Sequence, residues 1–208
     1  MSKSVFKIVL TLIGFCLLAA DAFAVENSRF RFMLGLSGKV NEYNQTISGN
    51  KTDFVKLSGY STTAGGMDFA YIFENGIGLG FGSGTVKLSD DAILPTEIAI
   101  GVGGIDLSYT LGESFNMTVG ATVFGNSSLS SYKISGVEYK GLYESTSKRS
   151  QSVFLNLGFS LGENWELLLG QRNYDLAVKT VNSTDSTDVK EYDAKFSVYL
   201  LGFGYRFK

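Results

Sequence analysis

Histidine is absent from this chain of 208 residues, which also has only one cysteine and one proline. Without histidine, every mechanism that needs an imidazole base or ligand is excluded. Charged residues make up 18% of the chain, against about 25% in an average soluble domain. A net charge of −2 offers no attraction to phosphate, so we expect no nucleic-acid partner.

The first 24 residues predict a cleavable signal peptide rather than a domain. They combine three successive features: the positive charges of Lys3 and Lys7, an apolar stretch over 8–20, and the small-residue cleavage site Ala22-Phe23-Ala24. The apolar stretch is shorter than the roughly 20 residues that a membrane-spanning helix needs. The mature chain is therefore expected to be residues 25–208, without the single cysteine, Cys16, and without a second long apolar run.

The mature chain alternates bulky apolar residues with small or polar residues, which is the pattern of β-strands. Eight segments show it: 30–37, 66–73, 77–82, 98–111, 115–123, 153–161, 165–170 and 199–207. In the fourth segment the apolar parity shifts at Gly103-Gly104, which predicts a β-bulge there.

The connections between these segments are short at one end and long at the other. Tight turns are expected at Glu74-Asn75-Gly76, Gly112-Glu113-Ser114 and Gly162-Glu163-Asn164. The other connections are long and polar: 41–62, 88–96, 125–150 and 179–192. Val137, Tyr139, Leu142 and Tyr143 indicate a β-ribbon within the third of them. This layout is typical of an all-β, eight-stranded, antiparallel up-and-down transmembrane β-barrel, with both termini on the short-turn side.

Alternation alone does not say which face of the sheet points inward. A lipocalin-like soluble barrel and a sandwich remain alternatives to the membrane barrel. The glycines at 76, 78, 80, 82 and 84 share one face, and such a face would make a poor water-exposed strand but fits a narrow lumen. The bulky set then contacts lipid, with an aromatic girdle near the short turns formed by Tyr71, Phe73, Tyr109, Phe115, Trp165, Tyr205 and Phe207.

Six charged residues fall on or near the parity of the lumen face. They are Arg31, Asp68, Asp106, Glu166, Arg172 and Arg206. Charges inside a narrow barrel must pair or keep water, so we expect an internal ion-pair network. Two interpretations stay open at this point: a structural plug that stiffens the lumen, and a gate that rearranges to pass ions.

The chain resembles the small eight-stranded outer membrane proteins of Gram-negative bacteria, the class of outer membrane proteins A, X and W and the opacity proteins. The residues that carry the resemblance include the C-terminal run Tyr199, Leu201, Phe203, Tyr205 and Phe207, which is similar to the signal that the barrel assembly machinery reads. Lys208 after Phe207 departs from that signal. The resemblance implies location in the bacterial outer membrane, with membrane lipid, lipopolysaccharide and the assembly machinery as partners.

The expected role is structural or surface-interaction: adhesion or envelope integrity through the extracellular loops of a monomer, with a host or envelope surface as a possible partner. The alternative is a narrow channel for ions or small hydrophobic molecules. Enzymatic barrels of similar fold, such as the omptin proteases, use a catalytic histidine, and this chain has none. We therefore expect no enzymatic activity, no cofactor and no metal site.

Overall fold

The computed structural model describes residues 25, 27–47, 50–56, 60–90, 97–130, 132–134, 137–142 and 150–207. The expected signal peptide, residues 1–24, lies outside the described residues, so its cleavage remains a prediction. Among the described residues, none of the helices has the length and apolar character required to cross a membrane.

The described chain is built almost wholly of β-strands. They are β1 (Arg29–Ile47), β2 (Asn50–Asp53), β3 (Tyr60–Ile72), β4 (Ile77–Asp90), β5 (Glu97–Leu111), β6 (Phe115–Leu129), β7 (Tyr132–Ile134), β8 (Val137–Leu142), β9 (Ser150–Leu161), β10 (Trp165–Asn182) and β11 (Val189–Arg206). A 3₁₀ turn, Phe54–Lys56, follows β2.

Eight of these strands close into an antiparallel ring in the order β1, β3, β4, β5, β6, β9, β10 and β11, with β11 pairing back onto β1. The predicted fold class is therefore confirmed. β2 extends β1 as a hairpin. β7 and β8 form a second hairpin, and β8 pairs with the far end of β10. This is the ribbon predicted for the third long connection, although Tyr143 lies outside the described residues.

The three predicted tight turns are present and lie at the same end as the start of β1 and the end of β11. Gly76, Gly112 and Gly162 adopt φ angles of +80°, +86° and +75°, in the left-handed region that glycine enters without steric cost. Arg29 at the start of β1 pairs with Arg206 at the end of β11. The barrel thus has one end made of short turns and one end made of longer connections.

At the opposite end the strands continue well into the connections that the sequence predicted as loops. β1 runs to Ile47, β10 runs to Asn182, and β11 begins at Val189. The predicted loop bounds at 41–62 and 179–192 were therefore wrong. These extensions carry polar residues on their outer face, and that polarity is the property that indicated loops.

The predicted bulge at Gly103-Gly104 is also wrong. Ile98, Ile100, Val102 and Asp106 on β5 are all buried in one uninterrupted alternation. The irregularity lies on the neighbouring strand: Ile105 pairs with Phe124 and Asp106 pairs with Thr122, which leaves Val123 on β6 as the extra residue. The change of apolar parity on β5 reflects a change in the chemistry of the lumen.

The barrel consists of two sections with opposite polarity. In the lower section, between the short turns and the level of Leu36, Ile105 and Leu169, bulky apolar side chains point outward and are exposed. In the upper section, beyond that level, apolar side chains point inward and form a core that includes Tyr43, Val86, Leu88, Ile98, Ile100, Val102, Leu129, Tyr174, Leu176, Val178, Tyr192, Ala194, Phe196 and Val198. The outer face there is polar, with exposed Lys39, Thr63, Lys87, Asn173 and Glu191.

Candidate functional site in the lumen

The lumen near the short turns is organised around one buried carboxylate, Glu166, which is 0% exposed. Arg29 Nη1 donates to its Oε1 at 2.5 Å, Arg31 Nε donates to its Oε2 at 3.0 Å, and Arg206 Nε donates to its Oε1 at 3.1 Å. Asn116 Nδ2 donates to Oε1 at 3.2 Å. Each carboxylate oxygen therefore accepts charge-assisted hydrogen bonds, and such bonds are about twice as strong as neutral ones.

A second carboxylate shares these arginines at the end of the barrel. Glu113, in the turn after β5, accepts from Arg29 Nη2 at 2.5 Å and lies 3.9 Å from Arg206 Nη1. We call Glu166, Glu113, Arg29, Arg31 and Arg206 the Glu166 group. Three arginines against two carboxylates leave this group with one excess positive charge.

Farther up the lumen, Arg172 on β10 reaches across to two aspartates on other strands. Its Nη1 lies 2.6 Å from Asp68 Oδ1 on β3, and its Nη2 lies 2.5 Å from Asp106 Oδ1 on β5. Its Nε donates to Ser152 Oγ at 2.8 Å, and its guanidinium carbon lies 4.8 Å from the centre of the Phe154 ring. We call Arg172, Asp68 and Asp106 the Arg172 group, which carries one excess negative charge.

Glycines on the inner face make room for these large side chains. A Cβ added to Gly82 would lie 1.8 Å from Arg172 Nη1, and one added to Gly84 would lie 2.5 Å from Tyr174 Cζ. A Cβ at Gly204 would lie 2.7 Å from Glu166 Oε2. Gly82 and Gly84 of the stripe that the sequence assigned to the lumen, together with Gly204, therefore form recesses that side chains of β10 fill.

A cavity of about 20 Å³ lies between the two groups, lined in part by Arg31, Asp68, Asp106 and Asn156. Asp68 Oδ2 and Asn156 Oδ1 are buried acceptors without a hydrogen-bond donor in the structure. The volume suits one water molecule. The same volume is far too small for a continuous aqueous pore.

Above the Arg172 group, aromatic rings fill the lumen. Tyr174 stacks on Phe196 with ring centres 4.6 Å apart, and its hydroxyl donates to the carbonyl of Ser83 on the opposite wall at 2.7 Å. Higher up, Tyr43 packs edge-on against Tyr192, whose hydroxyl accepts from Gln45 Nε2 at 2.6 Å. The upper lumen is therefore packed with apolar and aromatic side chains, and the hydroxyls of Tyr174 and Tyr192 form hydrogen bonds within it.

All six charged residues selected from the sequence point into the lumen, but the structure divides them between two groups. Arg31, Glu166 and Arg206 belong to the Glu166 group, and Asp68, Asp106 and Arg172 form the Arg172 group. Sequence reasoning missed Arg29 and Glu113. Arg29 could have been found, because it precedes Arg31 by two residues and shares its parity, whereas Glu113 was assigned only to a turn.

The outer face of the lower section carries the predicted aromatic girdle. Contacts between rings link Tyr71 to Phe73 and Phe207, Phe115 to Phe159, and Trp165 to Tyr205. Tyr109 is the exception: it is 1% exposed, because its ring packs against the turn at Gly76. Tyr199, Leu201, Phe203 and Tyr205 lie on the outward face of β11, and Phe207 directly after it is also exposed. Their recognition by an assembly machinery stays a prediction.

The closed antiparallel ring and its charged lumen place this chain in the fold class of outer membrane-type β-barrels. Solved structures with this fold include the outer membrane protein OprG from Pseudomonas aeruginosa, at 14% identity over 89% of this chain and 97% of that chain, with a TM-score of 0.51. The outer membrane protease OmpT from Escherichia coli matches at 12% identity over 89% and 98%, also with a TM-score of 0.51. Neisserial surface protein A matches at 13% identity and a TM-score of 0.45, over 88% and 99%. No protein-family model and no curated protein sequence matches the chain.

The matches to OprG and OmpT confirm the resemblance to outer membrane barrels at the level of the fold. They also correct one expectation from the sequence, namely that the chain is not an enzyme. The protease OmpT shares this fold over 98% of its own chain. A barrel of this kind is therefore not in itself evidence against catalysis. The missing histidine excludes imidazole mechanisms and nothing more.

Proposed function

We propose that this chain is an outer membrane barrel with a closed lumen, and that it acts through its upper section in envelope integrity or surface adhesion. The lower section offers lipid an apolar outer face, which only a membrane accommodates favourably. From Leu169 to Asn182, β10 extends about 30 Å above that face for a strand tilted as in small barrels. The upper section is thus a rigid support that places the connecting segments away from the lipid surface.

The observation that carries the proposal is the filling of the lumen at two successive levels. Arg172 joins β10 to β3 and β5 across the interior, and the apolar core with Tyr174 and Phe196 lies above it. Ions would have to break buried ion pairs and then enter an apolar region of low dielectric constant, and both steps are costly. These features support a plug over a gate.

Conductance across a planar bilayer tests the closed lumen. The purified, refolded protein is expected to give no steady conductance, and the charge-reversed variant Asp106→Lys is expected to stay silent because the apolar core above it is unchanged. A steady current through the wild-type protein, altered by Asp106→Lys, would support the alternative of a narrow channel. A large open porin in the same bilayer provides the positive control.

Surface interaction is tested by shortening one hairpin of the upper section. Val178 and Tyr192 face each other across β10 and β11, so joining them through an Asn-Gly turn removes the tip and keeps the pairing below. Bacteria that display this variant are expected to lose attachment to cultured cells while the barrel still assembles. Undiminished attachment, at equal surface amounts, would count against the adhesive role.

A further inference from the structure

Two β-bulges push large apolar side chains out of the barrel wall. On β1 the pairing with β11 steps from Gly35–Leu200 to Ser37–Tyr199, which leaves Leu36 as the extra residue. On β6 the extra residue is Val123, and Phe124 follows it. Leu36 is 69% exposed and Phe124 is 73% exposed, the highest values among the large hydrophobic side chains that the structure describes. Bulges of this kind re-aim side chains at defined positions.

The two bulges lie on opposite walls at a change of surface chemistry. β1 and β6 are four strands apart in the ring of eight. Below the bulges the exposed residues are apolar, such as Leu34 and Met117. Directly above them the exposed residues are polar, such as Lys39 on β1 and Asn126 on β6.

The inner face changes at the same level and in the opposite sense. On β5, Ile105 is the last bulky apolar residue that points outward before the top, and it pairs with Phe124. Val102 and Ile100, the next bulky residues along β5, point inward and are buried. A wall with apolar residues outward suits hydrocarbon, and a wall with apolar residues inward suits water. Both faces therefore indicate that the surroundings change at this level.

We propose that Leu36 and Phe124 insert into the acyl chains at the outer edge of the hydrocarbon layer, from opposite walls, and fix the depth at which the barrel sits. The upper section then stands in water beyond the lipid headgroups. This inference rests on the proposed membrane location and adds to it the position of the boundary. In water the exposed areas of both side chains would be unfavourable, whereas among acyl chains they stabilise the seated barrel.

Tryptophan placed at these positions reports their depth. Trp165 is the single native tryptophan, so Trp165→Phe gives a background without tryptophan that keeps a ring against Tyr205. In that background we would compare Leu36→Trp and Phe124→Trp with the matched controls Lys39→Trp and Asn126→Trp. Each protein is reconstituted in phosphatidylcholine vesicles whose acyl chains carry bromine either near the carbonyl end or near the terminal methyl.

The expected result is strong quenching at 36 and 124 by bromine near the carbonyl end, weaker quenching by deep bromine, and little at 39 or 126. Trp165 in the wild-type protein reports whether the aromatic girdle near the short turns lies in the membrane. Quenching of Trp165 without quenching at 36 and 124 would overturn the inference and leave the membrane location standing. Quenching at 39 and 126 equal to that at 36 and 124 would also overturn it, because the boundary would lie higher. If Trp165 were not quenched, the result would contradict the proposed membrane location as well.

Discussion

Glu166→Gln is expected to lower the free energy of unfolding by about 3–5 kcal/mol, the range found when one partner of a buried ion pair is removed. The substitution keeps the shape of the side chain but removes the carboxylate that pairs with Arg31, in a site that is 0% exposed at residue 166. Arg29 and, at 3.9 Å, Arg206 retain Glu113. The measurement is equilibrium unfolding by guanidinium in detergent micelles, followed by tryptophan fluorescence.

The matched control is Glu191→Gln. Glu191 also pairs with a cation, Lys179 at 3.0 Å, but the two side chains are 54% and 42% exposed. Exposed pairs of this kind contribute about 0–1 kcal/mol, so this variant should unfold almost like the wild-type protein. Equal effects of the two substitutions would show that the Glu166 group does not stabilise the barrel.

Gly82→Ala is the second substitution with a large expected effect. Its new Cβ would lie 1.8 Å from Arg172 Nη1, so the guanidinium would have to leave Asp68, Asp106 or both. We expect a loss of about 2–4 kcal/mol, which combines overpacking with broken buried ion pairs. The same unfolding experiment measures it.

Gly65→Ala on the neighbouring strand is the control, because nothing lies within 4 Å of its added Cβ. It should be neutral or slightly stabilising, since alanine reduces the entropy of the unfolded chain. A double-mutant cycle with Arg172→Met isolates the mechanism: if Gly82 acts through Arg172, alanine at 82 should cost much less in the methionine background. If Gly82→Ala destabilised the Arg172→Met protein as much as the wild-type protein, the result would contradict the interpretation that Gly82 makes room for Arg172.

The strands of the barrel wall could be predicted from the sequence, because the alternation of residue types along a strand shows which residues lie on each of its two faces. Phe69 and Tyr71 alternate with Asp68 and Ala70, and the period of 2 places each set on one side whatever the strand pairs with. The same local rule placed Arg172 and the other five charged residues on the inner face. The tight turns could also be predicted locally, because a positive φ angle at a glycine such as Gly76 depends on that residue alone.

The lumen could be predicted only in part, because its contacts join strands that are far apart in the chain. Arg172 binds Asp68, 104 residues away, and no local pattern states how closure of the ring staggers β10 against β3. The sequence predicted one network, and the structure contains two groups. The recess at Gly82 is likewise invisible until the strand carrying Arg172 lies opposite it.

By itself, the sequence determined the strands of the lower section, the short turns and, away from the bulges, which residues share a face, because these depend on backbone geometry over a few residues. The tertiary structure alone decided what each face meets. On β5, Ile100 and Ile105 look alike in the sequence, yet one is in the core and the other points outward. That difference arises because closing the eight strands makes one face of every strand the interior of the barrel. Along the barrel axis, the side chains in this interior change from charged ones to apolar ones.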